Sequence, residues 1–206
     1  MAEQAANAEQ QTAVKEKKTL DPRIAFALMV VMVCCALCIG ANKAWTKNRL
    51  NVSASFSVWQ ENVQQRVETA YNLLTVAGRY LPAADEGMQE LKTDLQTMEK
   101  GMGSESALES VAEACAEFSA DADALLARLA ANGAVAQDSR DSMYVSLMLP
   151  QAVEQCSNDS ALQAYNAAAE SFNDGMRSFS GLLAGLTGVR YAPVYQAATV
   201  KSAAAE

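Results

Sequence analysis

Between Ile24 and Ala41 the chain reads IAFALMVVMVCCALCIGA, 18 residues without a charge. As a helix this run is about 27 Å long, close to the hydrocarbon thickness of a bilayer. Such a segment belongs either in a protein core or in lipid, and an uncharged run of this length reads as spanning. Arg23 and Lys43 bracket it and can snorkel to the interface. Trp45 stands where an interfacial anchor belongs, and Pro22 suits a helix start. A cleavable signal peptide is the alternative, with Lys15, Lys17, Lys18 and Arg23 as its basic region. The run is longer than the apolar part of such a peptide, however, and no clean small-x-small site follows. Cys34, Cys35 and Cys38 lack the small preceding residues of a lipoprotein site. The expectation is an uncleaved single-pass anchor in a cell membrane.

Charge is divided around this segment. Residues 1–41 carry four basic and four acidic side chains, so the formal charge of −8 belongs to residues 42–206, with 12 basic against 20 acidic. That balance argues against nucleic acid as a partner. Lys15, Lys17, Lys18 and Arg23 precede the run, whereas Lys43, Lys47 and Arg49 follow closely. This small excess places residues 1–22 in the cytoplasm and the larger part on the extracytoplasmic side.

Beyond the anchor, apolar residues recur in steps of three and four, the period of a helix buried on one face. The first stripe is Val52, Phe56, Trp59, Val63, Val67, Ala70, Leu74, Ala77 and Leu81. No proline or glycine interrupts Ala41 to Ala77, so the anchor helix is expected to run directly into this one and end near Pro82. The second region holds Met88, Leu91, Leu95, Met98 and Met102, then Leu108, Val111, Cys115, Phe118, Ala122, Leu125 and Leu129. Gly101 and Gly103 are expected to kink or split it, Ser106 to Glu109 to restart it as a capping box, and Asn132-Gly133 to stop it. The third stripe is Leu162, Tyr165, Ala169, Phe172, Met176, Phe179 and Leu183, extended backward by Met143, Leu147 and Val153, with a kink at Pro150. Sustained apolar–polar alternation is absent from the sequence. The predicted fold is therefore all-α, an up-and-down antiparallel bundle of four helices on an N-terminal transmembrane helix. The rival is a coiled-coil dimer, which the breaks at Pro82 and Asn132-Gly133 disfavour. The organisation is a disordered or weakly helical tail at 1–22, a membrane helix at 23–41, the bundle at 42–197 and a frayed tail at 198–206. An oligomer is compatible with this pattern.

Little in the sequence points to chemistry. With no histidine, His-based triads and His metal sites are excluded. Cys35 and Cys38 have the C-x-x-C spacing, but they lie in the uncharged run without basic neighbours to stabilise a thiolate. Cys115 reads as a small buried hydrophobe, and Cys156 lies near a kink where it can be exposed; an extracytoplasmic bridge between them is the one disulfide weighed. Asp121-Ala-Asp123 has too few ligands for a calcium loop, and Gly101-Met-Gly103 is too short to cradle phosphate. Glu105, Glu109, Glu113 and Glu117 repeat every four residues and read as a solvated helix face, the alternative being a docking strip for a basic partner. No catalytic residues, metal or cofactor are expected, and the chain reads as a non-enzyme.

One stretch carries a resemblance. From Tyr165-Asn166 it continues through Phe172-Asn173, Arg177 and Phe179 to the apolar Leu182-Leu183-Ala184-Gly185-Leu186. This resembles the ending of the bacterial LemA family, where a Tyr-Asn pair, a second aromatic-Asn pair, an Arg and a Phe precede a Leu-Ala-Gly-Leu run. Earlier, Arg66-Val67-Glu68 and Tyr71-Asn72-Leu73 look like that family's Arg-x-Asp-x-x-Pro-Asn-Leu segment, with Tyr71 where proline is usual. Pro150 and the Cys156 to Asp159 stretch depart from the family's long continuous helix. The resemblance implies a four-helix bundle hung from one membrane helix, with no enzymatic activity and with lipid bilayer and an unidentified membrane or envelope protein as partners. It makes Asn72, Leu73, Tyr165, Asn166, Phe172, Asn173, Arg177, Phe179, Ala184 and Gly185 the signature residues. Tyr165, Phe172 and Phe179 are seven apart and so are expected along one seam, with Asn166 and Asn173 beside it facing Asn72. Buried amides at such a seam would fix register at a cost in stability, and leucine at positions 166 and 173 would then raise heat resistance. The alternative is a polar groove for a peptide or lipid headgroup. Arg177 is a candidate partner for Glu68. The Gly181 to Gly185 pattern reads either as a close helix contact or, preferably, as a flexible exit from the last helix. The function expected is interaction or scaffolding at the cell envelope. The runner-up is a single-pass sensor-like bundle that binds a ligand or peptide and signals through its membrane helix.

Overall fold

The computed structural model describes residues 21–196, so the expectations for both terminal tails lie outside the described residues. Asp21 caps the first helix, its Oδ1 accepting the Arg23 N–H at 2.9 Å, and Pro22 occupies the first turn where a missing N–H costs nothing. This helix, α1, runs unbroken over Pro22–Tyr80, 59 residues or about 88 Å. Its two halves meet different surroundings. From Pro22 to Leu37 every side chain is exposed, large apolar groups included. From Val52 onward one stripe is buried, comprising Val52, Phe56, Trp59, Val63, Val67, Ala70, Leu73, Val76 and Ala77. Leu73 takes the core place that the sequence stripe gives to Leu74, which is half-buried. Among the described residues α1 is the one helix long and apolar enough to cross a membrane.

Helix α2 (Glu86–Gly101) is capped by Asp85, buried and ion-paired with Arg128. It ends at Gly101 as expected. The restart differs: a 3₁₀ turn over Glu105–Ala107 precedes α3 (Leu108–Ala130), and no side chain caps either. Ser106 does not form the capping box, because its hydroxyl lies 2.7 Å from that of Ser104. Asn132 closes one helix and opens the next, its Oδ1 accepting the Ala134 N–H at the start of α4 (Gly133–Gln137). Asp138 likewise caps α5 (Ser139–Met143).

A π-helical turn over Tyr144–Met148 leads into α6 (Leu149–Cys156), whose first turn holds Pro150. The wider turn adds a residue ahead of the proline and rotates the apolar face. Val145, Leu149 and Val153 therefore point inward, while Met143 and Leu147, expected inside, are exposed. Cys156 is buried rather than exposed. After a break, α7 (Ser160–Met176) buries Leu162, Tyr165, Ala169, Phe172 and Met176. The last helix, α8 (Phe179–Leu186), is capped by Ser178. Gly188, at φ 100°, turns the chain into an extended segment reaching residue 196.

No strand occurs among the described residues, so the fold is all-helical. α1 packs against α2, α3, α6, α7 and α8, and α2 packs against α3. The core is continuous from Val52 to Ala192. Its aromatic centre is Trp59, stacked on Tyr165 at 6.5 Å, with Phe56 wedged 5.4–5.5 Å from both. Nearer the apolar segment, Trp45 meets the Phe172 ring edge-on at 5.7 Å.

Candidate functional site

The signature residues fall into separate places. Tyr165, Asn166, Phe172 and Asn173 lie together on α7 and hold the extended C-terminal segment. Asn173 Nδ2 donates to the Ala192 carbonyl at 2.8 Å, while Asn173 Oδ1 accepts the Ala192 N–H at 2.8 Å. Asn166 makes the same double bond with Tyr195, at 3.0 and 3.1 Å. Between them the Tyr165 hydroxyl donates to the Pro193 carbonyl at 2.8 Å. The spacing explains the match. Seven helical residues rise about 10.5 Å, and three extended residues span about 10 Å. Two amides seven apart on a helix can therefore read alternate exposed backbone groups of a strap crossing it lengthwise.

This differs from both sequence readings. Asn72 does not face Asn166 or Asn173. It lines a hollow of about 160 Å³ with Val76, Arg79, Arg140, Asp141 and Tyr144, at the far end of α1. The two amides set strap position rather than helix register, and the strap fills the place of a polar groove. Phe179 leaves the expected seam because α7 ends at Met176; the ring begins a new helix and is exposed. Arg177 pairs with Asp174 at 3.3 Å on the surface, not with Glu68, whose carboxylate accepts from Gln64. Leu73 and Ala184 are buried, and Gly185 is exposed.

A second constellation centres on Arg66, 1% exposed. Its Nε donates to the Cys156 carbonyl at 2.7 Å and its Nη2 to Asp159 at 2.8 Å. It ties α1 to the break between α6 and α7. Burial pushes the Cys115 thiol up, against the pull of the Arg66 guanidinium. Burial does the same to Cys156. Both thiols are free, and both are kept protonated and unreactive by this environment. At the far end of α1, Asp141 accepts two bonds from Arg79 at 2.8 and 3.0 Å and one from the Tyr80 hydroxyl at 2.8 Å. The Tyr80 hydrogen bond, with Arg79 beside it, holds that carboxyl below its usual range.

The third feature is electrostatic. Glu90 and Asp94 on α2 and Glu117 and Asp121 on α3 surround a hollow of about 430 Å³. Asp94 is 5% exposed and its Oδ2 has no hydrogen-bond partner. Burial first, then Asp121, Glu117 and Glu90, push its carboxyl up to about 7. Among the described residues no group of three or more Cys, Asp or Glu side chains is placed to hold a metal ion. Of the acidic run, Glu109, Glu113 and Glu117 are exposed, whereas Glu105 pairs with Arg49.

Because Asp94 binds its proton more tightly folded than unfolded, folding takes up a proton between its ordinary value of 3.8 and about 7. Stability falls as pH rises through that window. The hollow is open to water, which screens part of the shift. Asp94→Asn is expected to be more stable than the parent by about 2 kcal/mol at pH 8 and nearly equal to it at about pH 3, below the ordinary value of the carboxyl. Denaturant unfolding of both proteins at the two pH values checks this.

A further concavity near the signature residues is a groove of about 330 Å³ between α1 and α7, lined by Trp45, Asn48, Asn51, Val52, Ala168, Ser171 and Phe172. It carries no charged side chain and lies beside the exit of α1 from its apolar segment. Three classes of comparison, with family models, curated proteins and solved structures, return no match for the chain. What the fold and these sites define is a class: an all-helical protein with one N-terminal helix long and apolar enough to span a bilayer.

Proposed function

We propose that this protein is a single-pass, membrane-anchored bundle acting as a non-enzymatic interaction or scaffolding module at the bacterial cell envelope, and a divergent LemA-like protein. The observation that carries the reading is the unbroken helix Pro22–Tyr80, whose first part exposes only apolar side chains from Ile24 to Ile39 apart from small and thiol groups, and whose second part forms one wall of a core. A stiff rod of this kind holds a bundle at a fixed distance and tilt from the membrane, a use suited to presenting a surface. We read α1 beyond Val52, α2, α3 and the interrupted α5–α7 arm as four arms that alternately leave and return to the membrane. The slight excess of basic residues before the anchor, four against three close behind it, supports an extracytoplasmic bundle.

Crosslinking in native membranes, followed by identification of attached proteins, tests the interaction reading. Recovery of a discrete partner set that is lost when exposed bundle residues are changed supports it; a chain that stays in the membrane uncrosslinked under saturating reagent counts against it. Extraction into aqueous carbonate would remove the anchor. Reporter fusions at each end decide sidedness. The same continuity of α1 favours a second reading, a sensor that transmits a bound ligand's signal through the membrane. In that case a flexible insertion at Ala44 would abolish output while leaving partner capture intact.

A further inference from the structure

Helix α8 is built inside out for water. Its sequence, Phe179–Leu186, has no charged residue. The side turned to the protein carries Gly181 and Ala184, both buried. A Cβ on Gly181 would lie 2.4 Å from the Met176 carbonyl oxygen, so that side has room only for small groups. The opposite side carries Phe179, Leu182 and Leu186, exposed by 74%, 58% and 81%. At about 100° per residue these three fall within an arc of roughly 60°, a continuous apolar face. Exposed apolar faces of this kind mark contact with another apolar phase.

The position of α8 identifies that phase. Asn42 Nδ2 donates to the Thr187 carbonyl and hydroxyl at 3.2 and 2.8 Å, and Trp45 Nε1 donates to the Ser180 hydroxyl at 3.3 Å. The two ends of α8 thus meet α1 only three residues apart, a rise of about 4.5 Å, although α8 itself covers about 10.5 Å from Ser180 to Thr187. Both ends of α8 are therefore held within about one turn of Ala41, where the uncharged run ends. A helix held at both ends beside the exit point of a membrane rod sits at the level of the membrane interface. Exposed basic residues stand at this level, Arg177 before the helix, Arg190 after it, and Lys43 and Lys47 on the far side of α1. These suit the headgroup level. At this end Asp174 pairs with Arg177, and Glu105, on the 3₁₀ turn, pairs with Arg49, so the bases of this group without an ion pair among the described residues are Arg190, Lys43 and Lys47.

We propose that α8 is an interfacial membrane helix, with Phe179, Leu182 and Leu186 inserted at the headgroup–acyl boundary of the same bilayer that α1 spans. The proposal rests on reading residues 24–41 as membrane-spanning. It makes the bundle a two-point attachment: α1 fixes its distance from the membrane and α8 fixes its tilt and rotation about that rod.

The test uses full-length protein in 3:1 phosphatidylcholine–phosphatidylglycerol vesicles, with Cys34, Cys35 and Cys38 replaced by alanine and the buried Cys115 and Cys156 retained. Nitroxides are attached singly at Leu182→Cys, Leu186→Cys, Ile39→Cys and Glu113→Cys, and their accessibility to oxygen and to a water-soluble nickel chelate is measured. Expected is a lipid signature, oxygen-accessible and chelate-excluded, at 39, 182 and 186, with chelate access at least fivefold greater at 113. In a second variant, Leu182→Glu with Leu186→Glu, a label at Phe179→Cys should become chelate-accessible while bundle unfolding in detergent stays unchanged. Chelate access at 182 and 186 equal to that at 113, with 39 still in lipid, overturns the proposal and leaves the spanning helix standing. Exclusion of both reagents at 182 and 186 means a protein covers this face and also overturns it. Chelate access at 39 removes the spanning reading and the proposal together.

Discussion

Replacing Arg66 with alanine is expected to lower the melting temperature of the bundle by roughly 6–12 °C, equivalent to about 3 kcal/mol. Arg66 is 1% exposed and satisfies the carbonyl of Cys156, the last residue of α6, while reaching Asp159 at the start of α7. Its removal leaves a cavity and strips a buried carbonyl of its main donor; the Asn62 amide, at 3.4 Å, is a weak substitute. Two controls locate the effect. Asp159→Ala removes a partner that is 53% exposed but leaves a buried guanidinium without its carboxylate, and is expected to cost about 1 kcal/mol, less than the loss of the arginine itself. Arg66→Met keeps most of the volume but not the donors, and should fall between the two. Thermal unfolding followed by circular dichroism ranks the three. If Asp159→Ala is as damaging as Arg66→Ala, the ion pair and not the carbonyl bond holds the α6–α7 break.

Arg66 also shows how far the sequence could be read. It lies three residues after Val63 and four before Ala70, in phase with the buried stripe. A charge in that phase is a signal for a buried, partnered side chain. Where one face of a regular helix meets a core, periodicity alone placed the residues: Val52 through Ala70, Leu91 through Met98 and Leu108 through Leu129 are buried on the expected phase. The pattern failed where the backbone changed its turn. The π turn at Tyr144–Met148 rotates the face, so Met143 and Leu147 point outward. The end of α7 at Met176 starts a new phase, so Phe179 leaves the seam it shares by number with Tyr165 and Phe172. Side-chain geometry was less legible still. Seven-residue spacing put Asn166 and Asn173 on one line, but their partner is an extended backbone with no periodic signature of its own. The Gly181 to Gly185 pattern reads as a close contact or a flexible exit; in the structure it is helical, with Gly181 and Ala184 buried and Gly185 exposed.

The strap contact carries the second large expected effect, and its sign is opposite to the one a helix-seam reading gives. Were Asn166 and Asn173 costly amides between helices, leucine at both positions would stabilise the bundle. Here each amide supplies one donor and one acceptor to a single strap residue, Tyr195 or Ala192. Leucine offers neither, and the freed backbone groups regain partners only if residues 189–196 lift into water. Asn166→Leu with Asn173→Leu should therefore destabilise the fold by about 2–4 kcal/mol, with the two substitutions coupled because either one loosens the same segment. Ala192, buried beneath this clamp, and the Tyr165 hydroxyl, bonded to Pro193, would be uncovered with it. Hydrogen exchange gives the direct reading: the Ala192 and Tyr195 amides should lose protection at least a hundredfold in the double variant, while amides of α2 and α3 change little. Asn173→Asp, which keeps the acceptor for the Ala192 N–H and loses the donor, should give an intermediate result. A double variant more heat-resistant than the parent, with strap amides still protected, would mean that apolar packing against α7 holds residues 189–196 and that the amide ladder contributes nothing to their position.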